Sequence, residues 1–102
     1  MIESVIASPE VVHYICKRFG IQMSKKLGQN FLIKRTVVDK IVQAAELEVG
    51  DAVLEVGPGI GTLTQGLAQS GANVTSVELD RRLLEVLDTT LEAYDNVRII
   101  HG

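Results

Sequence analysis

The chain predicts an α/β fold, with parallel strands and flanking helices. Three observations carry that prediction. Residues 52–56 are a nearly continuous apolar run that ends in a glycine-rich loop. Val74 to Leu79 reads as a second apolar strand, and a third strand begins at Val97. The segments between these runs have helical apolar spacing. Strand–helix–strand–helix–strand alternation is met by a parallel sheet with right-handed crossovers.

Each element has a local reason. Ser8-Pro9-Glu10 reads as a helix start: a capping serine, a proline at the first helical position and an acid in the first turn. Val12, Ile15, Cys16 and Phe19 follow on one stripe, and Gly20 suits a left-handed stop. Residues 21–34 have no period. A second helix is expected from Arg35-Thr36, with Val38, Ile41, Val42 and Ala45 as its apolar stripe. Val49-Gly50-Asp51 reads as a turn. The strand 52–56 is apolar enough to be covered on both faces. A helix over 62–70 carries Leu63 and Leu67 and is closed by Gly71. Asp80 caps a third long helix, with Leu83, Leu84, Leu87, Leu91 and Tyr94 on one face. Strand three spans 97–101.

The bulk numbers bound the function classes. One hundred and two residues make one small domain at most. No apolar run approaches the ~20 residues that cross a bilayer, so no membrane contact is expected. A single cysteine, Cys16, excludes an internal disulfide and a thiolate metal cluster. A cytoplasmic setting follows as an expectation, and no metal site is predicted. The net charge of -3 is unevenly spread. Residues 1–40 hold seven Lys/Arg against three acids, whereas residues 41–102 hold three against ten. A basic arm on an acidic body suits contact with a polyanion, or else a solvated surface.

The loop Glu55-Val56-Gly57-Pro58-Gly59-Ile60-Gly61 carries the chemistry. A strand must turn sharply into a helix while its backbone approaches a ligand, and glycine permits both. A dinucleotide fingerprint places its third glycine one residue later, where this chain has Thr62. Pro58 also removes one N–H that could face a phosphate. These departures favour a ligand without a pyrophosphate, S-adenosylmethionine (SAM), over a nicotinamide dinucleotide. Glu55, at the end of a core strand, needs a partner. A ligand ammonium would serve, and so would backbone amides of the loop. Glu78 lies 21 residues beyond Gly57, at the end of the second strand. An acid there accepts the ribose hydroxyls of an adenosine; helix capping is the alternative, though Asp80 already meets that need. Glu55, Gly57, Gly59, Gly61 and Glu78 are therefore the expected cofactor residues.

Lys26-Leu27-Gly28-Gln29-Asn30-Phe31-Leu32, Leu54 to Gly61 and Val77-Glu78-Leu79-Asp80 together closely resemble the KsgA-type ribosomal RNA adenine dimethyltransferases. The likeness runs from about Lys25 to Gly102. It implies the first half of a Rossmann-like SAM-dependent methyltransferase fold, with parallel strands in order 3-2-1. It implies methyl transfer from SAM to the exocyclic amines of two adjacent adenines in small-subunit ribosomal RNA, free or in a pre-30S particle. It also implies that Asn30 and Leu32 contact the cofactor, with Gly57 and Glu78. Lys25, Lys26, Lys34 and Arg35 would hold RNA phosphates while an adenine is flipped out. The Erm-type enzymes, which modify large-subunit ribosomal RNA, share this layout.

The resemblance also sets what residues 1–102 are expected to lack. The family's next acidic cofactor contact and its Asn-Leu-Pro-Tyr-type catalytic motif both fall after Gly102. On this reading the chain is an N-terminal fragment: residues 1–34 a helix and basic arm, residues 35–102 a helix and a half-sheet. No catalytic residue is assigned, so these residues alone are expected to be inactive. His13 and His101 are candidates by type only. A stand-alone binding module without chemistry is the reading from a different class. A half-sheet would leave strand 52–56 at an exposed edge, where self-association is expected.

Overall fold

The computed structural model describes residues 8–21 and 34–102. Their elements are α1 (Pro9–Phe19), α2 (Arg35–Ala44), β1 (Ala52–Val56), α3 (Thr62–Gln69), β2 (Asn73–Glu78), α4 (Arg81–Thr90) and β3 (Val97–His101). The sheet is parallel, in spatial order β1-β2-β3. Val56 lies beside Val77, which lies beside Ile100.

Both crossovers join adjacent strands with the same hand, so α3 and α4 lie on one side of the sheet. The burial pattern agrees. Val74, Ser76 and Glu78 of β2 are buried, and β1 buries only Glu55. The expectation that β1 is covered on both faces is not met among the described residues. Leu54 is 69% exposed and Val56 80%. The apolar sequence of β1 therefore serves two different surroundings: one face under helices, the other open.

Helix α1 is ended by Gly20 at φ 66°, as its sequence predicts. Its start differs. Ser8 occupies the N-cap position, but its hydroxyl donates to Glu10 Oε2 at 2.8 Å and caps no backbone N–H. Val12 and Ile15 pack with Ile60 and Val86 in one core cluster, with Cys16, Phe19 and Leu83 against it. This burial pushes the Cys16 thiol above its ordinary range. Helix α1 thus docks on the glycine loop and α4 at once.

Helix α2 turns Val38 inward, while Ile41 and Ala45 of the expected stripe are exposed. Its crossing with α3 is close. A methyl added at Gly66 would sit 2.6 Å from Val38 Cγ1 and 3.2 Å from Val42 Cγ2, which explains a glycine inside a helix despite its propensity cost. Helix α4 begins as predicted, with Asp80 accepting from Arg82 N at 3.0 Å. The Arg82 side chain also donates to Asp80 and holds its carboxyl below the usual carboxylate range. That contribution is present at neutral pH and is lost as pH falls through the lowered value. The buried face of α4 is centred on Val86, Leu87 and Thr90, with Leu83 and Leu84 half-buried. Leu87 and Leu91 of the expected stripe are buried and Tyr94 is half-buried, while Val86 and Thr90 widen the face beyond that stripe.

Candidate cofactor site

The site lies outside the carboxyl ends of β1 and β2, where open α/β sheets bind ligands. Gly57, Gly59 and Gly61 have φ of 72°, 62° and 97°. All three need glycine's left-handed freedom, but for different surroundings. A Cβ at Gly57 or Gly59 would meet nothing within 4 Å. At Gly61 it would lie 3.1 Å from Thr90 Oγ1, 3.3 Å from Leu87 Cδ2 and 3.4 Å from Leu91 Cδ2. The first two glycines border open space; the third seats the loop on α4.

The loop is pinned at each step. Gly57 N donates to Val77 O at 2.9 Å and Gly61 N to Pro58 O at 3.0 Å. The Ile60 side chain enters the core beside α1, and its carbonyl accepts from Thr90 Oγ1 at 2.9 Å. Pro58 is buried. These contacts tie the loop to β2, α4 and the core.

Glu78 is 6% exposed. Its Oε1 accepts from Gly59 N at 3.3 Å, and its Oε2 accepts from Asp80 N at 2.9 Å. The carboxylate therefore couples the loop to the end of β2. Each carboxylate oxygen has more than one lone pair, so acceptor capacity remains for ligand hydroxyls. Nearby, His101 Nε2 lies 3.1 Å from Leu79 O, and Gly102 N donates to Glu78 O.

Glu55 is placed differently from Glu78. It is 9% exposed and stands on the helix-covered face of the sheet, beside Ser76. Its Oε1 accepts from Thr64 Oγ1 at 2.5 Å and from Ser76 Oγ at 2.8 Å. Thr64 and Ser76 were not singled out by sequence reasoning. The available signal was the buried carboxylate, which requires donors from somewhere.

Gly57, Gly59 and Gly61 share one loop, which the Gly59 N–Glu78 hydrogen bond ties to the end of β2, whereas Glu55 lies on the helix-covered face with Thr64 and Ser76. Lys34 and Arg35 lie at the start of α2, where Arg35 pairs with exposed Asp39 at 3.5 Å. Lys25, Lys26, Asn30 and Leu32 lie outside the described residues. Among the described residues no cluster of His, Cys, Asp and Glu could hold a metal ion. No described helix is long and apolar enough to cross a membrane.

The chain resembles known proteins over most of its length. It is 50% identical over 98 residues to the ribosomal RNA small subunit methyltransferase A of Pelotomaculum thermopropionicum, a match covering 96% of this chain and 33% of that protein. The solved structure of the 23S rRNA methyltransferase ErmE matches with a TM-score of 0.63 and 38% identity, over 68% of this chain and 28% of that one. A SAM-dependent methyltransferase from Thiobacillus denitrificans, solved with S-adenosyl-L-homocysteine, matches with a TM-score of 0.57 and 28% identity, over 64% and 28% of the two chains. The fold is thus that of the Rossmann-like SAM-dependent methyltransferases, of which these residues form a part. The chain spans about a third of the length of the curated relatives it matches. Residues 20–102 match the family described as ribosomal RNA adenine dimethylase, and the chain belongs to that family.

Proposed function

We propose that this chain supplies the methionine and ribose side of the SAM site in an adenine dimethyltransferase acting on small-subunit ribosomal RNA. The observation that carries the reading is the open cradle at Gly57 and Gly59 beside the Glu78 carboxylate. A backbone with no side chains admits a close ligand, and an acid at its rim suits a ribose diol. The residues present therefore fit the cofactor. When bound, SAM supplies a methyl group activated by its sulfonium. Glu78 would accept the ribose hydroxyls, and Gly57 and Gly59 would face the methionine part. Gly61 would hold the loop on α4. Asn30 and Leu32 would complete the contact from the N-terminal arm. Lys25, Lys26, Lys34 and Arg35 would hold RNA phosphates, with the cytoplasm as the setting. Likeness to a relative named for the small subunit supports that substrate; likeness to ErmE keeps large-subunit RNA as the second reading.

Calorimetric titration of the full-length protein tests the cofactor. SAM or S-adenosylhomocysteine is expected to bind and NAD to give no heat. Tight NAD binding with no SAM binding would overturn the reading.

We also propose that a polypeptide of residues 1–102 alone self-associates. The outer edge of β1 is unpaired among the described residues, and the adjoining open face presents Leu54, Val56 and Ile100. Sedimentation at high concentration is expected to show dimers or larger species; a monomer would contradict this.

A further inference from the structure

Glu55 is held in a way that the cofactor reading does not use. A glutamate on a core strand costs free energy unless its oxygens are satisfied. Here one oxygen accepts two hydroxyl hydrogen bonds, from Thr64 and from Ser76. Thr64 and Ser76 are fully buried. The three residues come from three elements, β1, α3 and β2. Each element carries part of the candidate site. Strand β1 runs into Gly57, α3 starts directly after Gly61, and Ser76 is two residues before Glu78 on β2.

The geometry points to Glu55 as a positioning residue. With Thr64 and Ser76 it forms a buried knot that fixes the glycine loop against Glu78, and it acts on the cofactor through them without touching the ligand's ammonium. The inference rests on the SAM reading for its functional consequence only. The physical logic is that a hydroxyl–carboxylate bond inside a low-dielectric layer is stronger and stiffer than one in water. Releasing it would let the loop and the β2 terminus shift relative to one another. Small misplacements of binding groups cost affinity even when every contacting residue is intact.

The test compares two ligands and three single substitutions in the full-length protein. The ligands are S-adenosylhomocysteine and an analogue whose α-amino group is replaced by hydrogen. The substitutions are Glu55→Gln, Thr64→Val and Ser76→Ala. Valine keeps the shape of threonine, and glutamine keeps the size of glutamate, so folding is checked by urea unfolding of each. The knot predicts that each substitution weakens both ligands by the same factor, about tenfold. It also predicts that Glu55→Gln and Thr64→Val are non-additive in unfolding and in binding. Direct contact predicts otherwise. Glu55→Gln would then weaken only the ligand that carries the amine, and Thr64→Val and Ser76→Ala would leave affinity unchanged. That pattern overturns the inference. If the unsubstituted protein binds neither ligand, the SAM reading fails, and the unfolding cycle decides the knot. Non-additivity there supports it, and additivity refutes it.

Discussion

Replacing Glu78 by alanine is expected to lower affinity for SAM on the order of 100-fold or more, the largest binding effect of any single substitution in the described site. Two losses combine. The proposed ribose hydroxyls lose a charged acceptor, and hydrogen bonds to a charged group are worth about 1.5–3 kcal/mol each. Gly59 N and Asp80 N lose the acceptors that hold them at 3.3 and 2.9 Å. The loop therefore loosens as the ligand contact disappears. Glu78→Gln keeps one oxygen acceptor and the side-chain length, so it should fall between wild type and alanine. Isothermal titration with S-adenosylhomocysteine measures both. An affinity for Glu78→Ala within a factor of three of wild type would mean that the carboxylate serves the loop and helix only.

Gly61→Ala is expected to lose about 2–5 kcal/mol of stability, clearly more than the same change at Gly59. A left-handed conformation costs an L-residue roughly 1–2 kcal/mol, and φ at Gly61 is 97°. Overpacking a closed core adds about 1–3 kcal/mol. Space at this position is closed, because Leu87 and Thr90 are fully buried and stand 3.3 and 3.1 Å from the added methyl. Gly59→Ala is the control. It has φ of 62° and no neighbour within 4 Å, so it carries only the backbone cost of roughly 1–2 kcal/mol. Urea unfolding of the two variants separates them. Equal losses would show that Gly61 is needed for its backbone angle and not for its seat on α4.

The parts legible in the sequence are those with local causes. A glycine triplet at alternate positions, an apolar run before it and Asp80 ahead of a helix specify loop, strand and cap within a few residues of themselves. Strand β3, α2 and the C-terminal stop of α1 were equally readable. What was not legible depends on contacts far apart in the chain. Thr64 and Ser76 look like ordinary polar residues until the fold places both on Glu55. Ile60 reads as a loop residue, yet it plugs the core between α1 and α4. Val86 faces inward because α4 packs against α1 and the loop, which widens its buried face beyond the expected stripe. The open face of β1 was missed for a related reason. Apolarity records what a strand can tolerate on both sides, and within these residues helices cover one side. Ser8 shows the reverse failure, where a local rule gave the right helix start but the hydroxyl chose Glu10 over the backbone.

In the proposed function, the glycine cradle and Glu78 serve methyl transfer to adenine in ribosomal RNA. The most direct measurement is transfer from isotopically labelled SAM by the full-length protein to unmodified small-subunit ribosomal RNA, presented alone and as a pre-30S particle, followed by nucleoside analysis. Large-subunit RNA is assayed in parallel. The predicted result is labelled N6,N6-dimethyladenosine from small-subunit RNA, strongly reduced in Glu78→Ala at limiting SAM. Label only in large-subunit RNA would move the assignment to the Erm-type reading. No labelled adenosine from either RNA, with SAM bound, would rule out methyl transfer to ribosomal RNA adenines.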